Sequence, residues 1–247
     1  MVEVARDTVN FFTAQAEKFP VDPSREYEVK YHDIYVSEDP AASVEVVNED
    51  SFEMALRYTS HGLNPMVLNF ASNVNPGGGW KKGSRAQEED LFRRSNYFQT
   101  LNREDVEYPL GWRVVYSPTV YIAKTRAYQW LTRVACLAAA AVRNPNVTID
   151  KEGKERFTLP QDKEYMRQLI ISIFHVAKTE GHDSIVLGAL GCGAFHGPRH
   201  DIAELFAEVM DVYAPYFKMI GFGVLVIRPG DNENLRIFQD TLTRSAS

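Results

Sequence analysis

Apolar residues fall near helical spacing at Val4, Val9, Phe12, Ala16 and Phe19, which predicts an amphipathic helix over residues 4–19. Residues 27–36 alternate instead and are rich in tyrosine, valine and isoleucine, the pattern of a strand. Ser43–Val47 reads as a second strand. It runs into Asn48-Glu49-Asp50-Ser51, a helix start, and Phe52–Tyr58 continues as that helix. Met66-Val67-Leu68-Asn69-Phe70 is apolar enough for a buried strand, and a helix is expected from about residue 85 to 101. Short strands are expected at Arg113–Tyr116 and Thr119–Ala123, on either side of Pro118.

The alanine-rich stretch 131–142 fits a buried helix or a buried strand equally well. Residues 143–163 are polar and carry Pro145, Gly153 and Pro160, so they read as a surface excursion. Tyr165–Thr179 is an amphipathic helix with Leu169, Ile170, Ile173, Phe174 and Ala177 on one side. Ser184–Leu187 is a buried strand, Asp201–Tyr213 a helix, Phe222–Ile227 a strand, and Asp231–Leu242 a last helix capped by Asp231. Strands alternating with helices define an α/β protein with a largely parallel central sheet. With no internal repeat and no linker, the 247 residues are expected to form one domain, with residues 1–25 as an N-terminal helical extension.

Two glycine-rich segments each follow a buried strand and precede a helix: Gly77-Gly78-Gly79 and Gly188-Ala189-Leu190-Gly191-Cys192-Gly193. Both are therefore expected at the carboxyl edge of the sheet, where α/β folds bind ligands. Glycines leave backbone N–H groups uncovered, and a helix N-terminus adds positive partial charge, so phosphate is a fitting ligand. After the first segment, Ser84-Arg85-Ala86-Gln87 fits a capping box that places Glu88 and Glu89 in the first helical turn. Acidic residues at that position are also ordinary macrodipole partners. Three successive glycines, however, cost conformational entropy that a plain connection need not pay. Two neighbouring carboxylates resist ionising together while the helix N-terminus favours ionised Glu, so a general acid at neutral pH is expected mainly with a diphosphate bound nearby. Paired carboxylates beside a sugar are the equipment of glycosidic cleavage.

Composition narrows the classes further. A net charge of −6 lacks the broad basic face of a general nucleic-acid binder, yet a local backbone pocket can still hold phosphate. Two cysteines, Cys136 and Cys192, make neither a disulfide framework nor a CxxC metal pair. The first residues show no basic and apolar blocks of a signal peptide, and the longest apolar stretch, Val134–Val142, is far shorter than a membrane span. The expectation is a soluble protein with no membrane partner, cytoplasmic or, in a eukaryote, nuclear.

The spacing GGG, seven residues, QEE resembles the signature of poly(ADP-ribose) glycohydrolases of the microbial type, within the macrodomain superfamily. The blocks NEDSFEMA, VLNFASNVNPGGG, VVYSPTV and LGALGCGAFHGP agree with it in order, over roughly residues 45–230. Phe92-Arg93-Arg94-Ser95 departs from it where a smaller, cysteine-containing stretch is expected, and the segment after Tyr121 is also unusual. The resemblance implies a three-layer α/β/α macrodomain-like sandwich with a mixed, largely parallel sheet. It implies cleavage of ribose–ribose bonds in poly(ADP-ribose) by a monomeric enzyme with neither metal nor cofactor. ADP-ribose, its polymer and ADP-ribosylated proteins are then the partners. By position it makes Glu89 the catalytic acid/base and Glu88 the holder of ribose hydroxyls, with Gln87 supporting the pair. Asn73 or, preferably, Asn75 contacts the distal ribose, and Gly77, Gly78 and Gly79 approach ribose and diphosphate. Asp50 accepts from the adenine amino group, with helix capping as its ordinary role. Gly191, Cys192, Gly193 and Ala194 turn N–H groups to the diphosphate, and Phe195 packs on the distal ribose.

Other readings have less behind them. A cysteine hydrolase would need Cys192 activated by His196 or His200, whereas a cysteine between glycines at a strand end is usually a small buried residue. His196 and His200 have metal spacing, but Pro198 interrupts them and nothing completes the set. The glycines at 188, 191 and 193 have the wrong order for a dinucleotide fingerprint. A non-catalytic ADP-ribose reader and a hydrolase of single ADP-ribose units are the serious alternatives, and the intact Glu88-Glu89 pair favours catalysis over reading.

Overall fold

A computed structural model describes residues 1–30, 41–104, 106–123, 132–227 and 230–243. Helix α1 (Val2–Ala14) opens the chain, followed by strands β1 (Arg25–Glu28) and β2 (Ser43–Val47), helix α2 (Ser51–Ser60) and strand β3 (Pro65–Phe70). After a short 3-10 turn at Trp80–Lys82 come α3 (Gln87–Arg94), α4 (Tyr97–Leu101), β4 (Arg113–Ile122) and β5 (Thr132–Ala139). A small hairpin, β6 (Val147–Ile149) and β7 (Glu155–Phe157), leads to α5 (Pro160–Thr179) and β8 (Ser184–Leu187). Helix α6 (Arg199–Tyr213), strand β9 (Met219–Gly223) and helix α7 (Asp231–Leu242) complete the described elements.

The main sheet runs β1-β4-β5-β3-β8-β9-β2. Strands β5, β3, β8, β9 and β2 pair in parallel, and β4 is antiparallel to both β1 and β5. Six strands therefore point one way and β4 alone is reversed. The loops after β5, β3, β8, β9 and β2 all emerge at one edge, and the chain enters β4 at that same edge.

Two cores flank the sheet because alternate strand residues face opposite ways. Met66, Leu68, Leu137 and Ile185 join the face covered by α5, α6 and α7, with Phe174, Phe206 and Phe238. Val67, Cys136, Ala138 and Val186 join the face covered by α2, α3 and α4, with Phe52, Phe92 and Tyr97. Each fully buried large side chain contributes about 1.5–3 kcal/mol of transfer free energy, so both layers are well supported. Asn69 shares the parity of Val67 and is fully buried on the α3 side, the first sign of a polar site there.

Several expectations need correction. The stretch 131–142 is strand β5 from Thr132 to Ala139; covered on both faces, it has no need of polar alternation. The helix expected over 85–101 is two helices, because Ser95 is extended and pairs with Ile122. The two strands around Pro118 are one strand with a register shift between Ser117 and Val120, where a missing N–H costs no ladder bond. The excursion at 143–163 contains the β6–β7 hairpin and the start of α5, with Pro160 as its first residue. Asp201, fully buried, ties that region down by accepting from Phe157 N (2.7 Å), Arg156 Nη1 (3.0 Å) and Lys163 Nζ (2.7 Å). Asp231 does not cap α7; it is its first residue, and its Oδ2 accepts from Ile227 N (3.1 Å). The strand expected at Phe222–Ile227 is β9, earlier, at Met219–Gly223. The second half of the strand expected at 27–36 lies outside the described residues.

Candidate active site

The first glycine segment turns back on the sheet edge because its glycines take backbone angles that other residues avoid. Gly77 and Gly78 have φ of +76° and +53°. A Cβ on Gly77 would stand 2.5 Å from the Phe92 ring, and one on Gly78 would stand 2.5 Å from Glu89 Oε1. The turn before them is set by Ser72, whose Oγ accepts from Val74 N and Asn75 N (3.3 Å each). Trp80 closes the loop from beneath, 4% exposed and packed against Phe92 and Phe98.

Glu88 and Glu89 lie under this loop, 3% and 7% exposed. Glu88 Oε1 accepts from Gly77 N (3.1 Å) and Asn69 Nδ2 (3.3 Å), and its Oε2 accepts from Ser72 N (2.7 Å). Burial pushes the Glu88 carboxyl up to about 7. The three N–H donors work against that rise, and the neighbouring Glu89 charge adds to it. Glu89 Oε1 accepts from Gly79 N (3.0 Å) and its Oε2 from Ala86 N (2.9 Å).

The capping box expected at Ser84 does not form. The N-cap of α3 is Ala86, which has no side-chain acceptor, and only the reciprocal bond from Ala86 N to Glu89 is made. Gln87 works elsewhere: its Nε2 donates to Leu68 O (2.7 Å) and Ser51 Oγ (3.2 Å), and its Oε1 accepts from Phe70 N (3.0 Å). It thereby fastens the start of α3 to the end of β3.

A second correction concerns the anion donors. The first loop was expected to leave its N–H groups for phosphate. Those of Gly77 and Gly79 are instead spent on the two carboxylates, and Gly78 N donates to Asn75 O (3.0 Å). In the second loop, Cys192 N donates to Ala189 O (3.1 Å), so it is not a free donor. The N–H groups of Gly193, Ala194 and Phe195, with that of Gly191, meet no protein acceptor among the described residues. Three successive unpartnered donors are a set that suits an anion.

The two loops border one cleft of about 730 Å³. It brings together Glu88, Glu89, Asn73, Asn75, Gly78, Gly79, Ala194 and Phe195 from the expected set. Gly77, Gln87, Gly191, Cys192, Gly193 and Asp50 do not line it. Asn73 is committed to the scaffold, accepting from Gly111 N at Oδ1 (3.0 Å) and from Leu110 N at its carbonyl (2.9 Å). The Asn75 side chain has no protein partner among the described residues. Asp50 caps α2, accepting at Oδ1 from Phe52 N (2.9 Å), Glu53 N (3.1 Å) and Arg94 Nη1 (2.7 Å). Its Oδ2 takes no hydrogen bond among the described residues. Burial pushes the Cys192 thiol up, away from a nucleophilic thiolate. His200 Nδ1 accepts from Glu155 N (3.1 Å), and no metal-ligand cluster occurs among the described residues.

Sequence reasoning passed over four residues that hold this site and one at its rim. Asn69 and Ser72 each donate to Glu88. Arg93, 2% exposed, donates to Ser84 O (2.6 Å) and Trp80 O (3.4 Å) and so staples the segment after the glycines. Arg94 joins α3 to the Asp50 cap. Trp112, exposed at the rim, belongs to the cleft lining. The only sequence signal was the paired arginines where smaller residues were expected. The N-terminal helix also takes part: it packs on α3 and the 3-10 turn, and Thr8 Oγ1 donates to Arg93 O.

A mixed sheet layered between helices, with glycine loops and a buried glutamate pair at its carboxyl edge, is a macrodomain-like architecture of the ADP-ribose glycohydrolase type. The family model for the microbial-type PARG catalytic domain matches residues 5–125. The crystal structure of poly(ADP-ribose) glycohydrolase from Thermomonospora curvata is similar at 25% identity and a TM-score of 0.80, over 97% of this chain and 98% of that one. A structure described as the same enzyme bound to the inhibitor ADP-HPD is similar at 26% identity and a TM-score of 0.76, over 97% of this chain and 98% of that one. Poly(ADP-ribose) glycohydrolase from Deinococcus radiodurans in complex with ADP-ribose is similar at 30% identity and a TM-score of 0.73, over 83% of this chain and 86% of that one. No curated protein matches the chain. The chain belongs to the poly(ADP-ribose) glycohydrolase family, in its microbial type. No helix among the described residues is long and apolar enough to cross a membrane.

Proposed function

We propose that this protein hydrolyses the ribose–ribose O-glycosidic bonds of poly(ADP-ribose) and releases ADP-ribose. The observation that carries the reading is the buried Glu88-Glu89 pair, which opens on the cleft that Ala194 and Phe195 of the free-donor loop also border. A diphosphate on that loop puts the attached distal ribose toward the carboxylates. The complexes of the related enzymes with ADP-ribose and with ADP-HPD support the ligand class.

In this reading Glu89 is the acid/base. It protonates the departing ribose oxygen as the C1″–O bond breaks through an oxocarbenium-like state. The Glu89 carboxylate then takes a proton from the attacking water, whose oxygen bonds to C1″. One water is consumed, and Glu89 ends protonated as it began. Glu88 suits a fixed role, because three donors from two segments hold its oxygens. With its carboxyl near 7 it orients the ribose hydroxyls without adding a full second charge beside Glu89. Asn75 reaches the distal ribose, and Asp50 Oδ2, at the far end of the sheet edge, accepts from the adenine amino group.

The test is Glu89→Gln, assayed with purified poly(ADP-ribose). The variant is expected to keep ADP-ribose binding and to lose release of ADP-ribose. An unaltered rate would remove Glu89 from the acid role. Tight binding of polymer by the wild-type protein without turnover would make it a reader instead.

A further inference from the structure

The order of strands along the sheet edge separates the cleft into sides. The glutamate pair and first glycine loop follow β3. The second loop with its unpartnered donors follows β8, and Asp50 follows β2, beyond β9. On the other side of the pair, where β5 ends and β4 begins, stands Trp112. It stands across the pair from Asp50, while the tip of the second loop reaches over to the segment after β5, where Asn144 N donates to Phe195 O (2.8 Å).

Trp112 is 57% exposed, whereas Trp80 is buried in the core. The exposed ring is nevertheless held in place. Tyr165 meets it edge to face, with ring centroids 4.6 Å apart and planes at 82°. The Tyr165 hydroxyl donates to Ala140 O (2.9 Å), and Gly111 O lies at 3.2 Å. Gly111 N donates to Asn73 Oδ1 (3.0 Å), and Trp112 O accepts from Val29 N (2.6 Å). Both aromatic rings border the cleft that holds Glu88 and Glu89. Lys82 and Arg143 border it too, and neither is ion-paired among the described residues.

Resting on the glycohydrolase reading above, we propose that Trp112 is a stacking platform for the adenine of the leaving ADP-ribose unit. The bond to be cut joins C1″ of the terminal unit to the 2′-oxygen of an adenosine. The leaving group therefore carries adenine on the very next ribose carbon, one sugar away from Glu89. A fixed, exposed indole is the side chain best suited to hold a base by its face. The unpaired cations bordering the same cleft suit that unit's phosphates. A leaving group without a base, such as a protein side chain, gains nothing from the platform, so Trp112 selects polymer over single ADP-ribose units.

The experiment compares the intact wild-type protein with Trp112→Ala and Trp112→Phe on purified poly(ADP-ribose), together with ADP-ribose binding by calorimetry. Trp112→Ala is expected to raise KM for polymer about tenfold, the size of one lost base stack, and to leave the ADP-ribose Kd unchanged. Trp112→Phe is expected to recover most of the loss. An unchanged KM in Trp112→Ala overturns the proposal. So does a parallel loss of ADP-ribose affinity, which would seat the terminal adenine on Trp112. Absence of any turnover by the wild-type protein would instead sink the glycohydrolase reading itself.

Discussion

A Cβ added to Gly78 would stand 2.5 Å from Glu89 Oε1 and 3.2 Å from Glu88 Oε2. The first glycine loop is thus shaped around its two carboxylates, and the N–H groups of Gly77 and Gly79 hold them rather than a bound phosphate. Gly78→Ala is expected to displace Glu89 while the fold survives. At φ +53° the substitution also costs about 1–2 kcal/mol of backbone strain. A displacement near 1 Å at a reacting group lowers rates about 10²-fold. Release of ADP-ribose by Gly78→Ala should therefore fall by about that factor, with a small drop in Tm. A variant as active as wild type would show that the loop does not position Glu89.

Glu88 gives a pH signature with a definite sign. Its carboxyl rises from an ordinary value near 4.5 to about 7 because of burial. Between those values the folded protein keeps a proton that the unfolded chain has lost, so stability from this group falls as pH rises. It is fully present below pH 4.5 and lost on passing pH 7. The shift corresponds to about 3 kcal/mol. Glu88→Gln removes the titration. The stability of wild type minus variant, measured by denaturant unfolding, should drop by about 3 kcal/mol between about pH 4.5 and about pH 8. A difference that is flat across that window would place the proton elsewhere.

These two residues also show what was legible in the chain. The glutamate pair, the glycine loops and the parallel sheet edge could be read from local pattern, since strand, glycine turn and helix start are adjacent in sequence. The partners that tune them could not. Asn69 sits inside an apolar strand and reads as one polar interruption; only strand parity and the arrival of α3 bring its Nδ2 to Glu88. The free donors of Gly193, Ala194 and Phe195 depend on which carbonyls the turn leaves within reach, which no spacing rule supplies. Trp112 borders the cleft only because β4 runs backward and begins at the carboxyl edge of the sheet. Ser84 shows the opposite failure: a good capping pattern two residues too early, displaced when Gln87 is drawn to Leu68 O and Phe70 N.

Arg94 and Asp50 test how the site is braced. The pair joins α3 to the cap of α2 at 2.7 Å, with side chains 8% and 10% exposed. Glu53 and Asp90, at 29% and 40%, also meet Arg94 but are more solvated and contribute less. Removing one partner of a buried pair leaves an uncompensated charge and typically costs about 3–5 kcal/mol. Asp50 keeps its two cap bonds, so Arg94→Leu is expected at the low end, about 3 kcal/mol. Asp50→Asn retains a capping oxygen and removes the charge, so the double variant should recover at least about 1 kcal/mol of that loss. Urea unfolding of the four proteins in this cycle measures the coupling. Additive losses would mean that the two residues do not sense each other, and that α3 is braced by its other contacts.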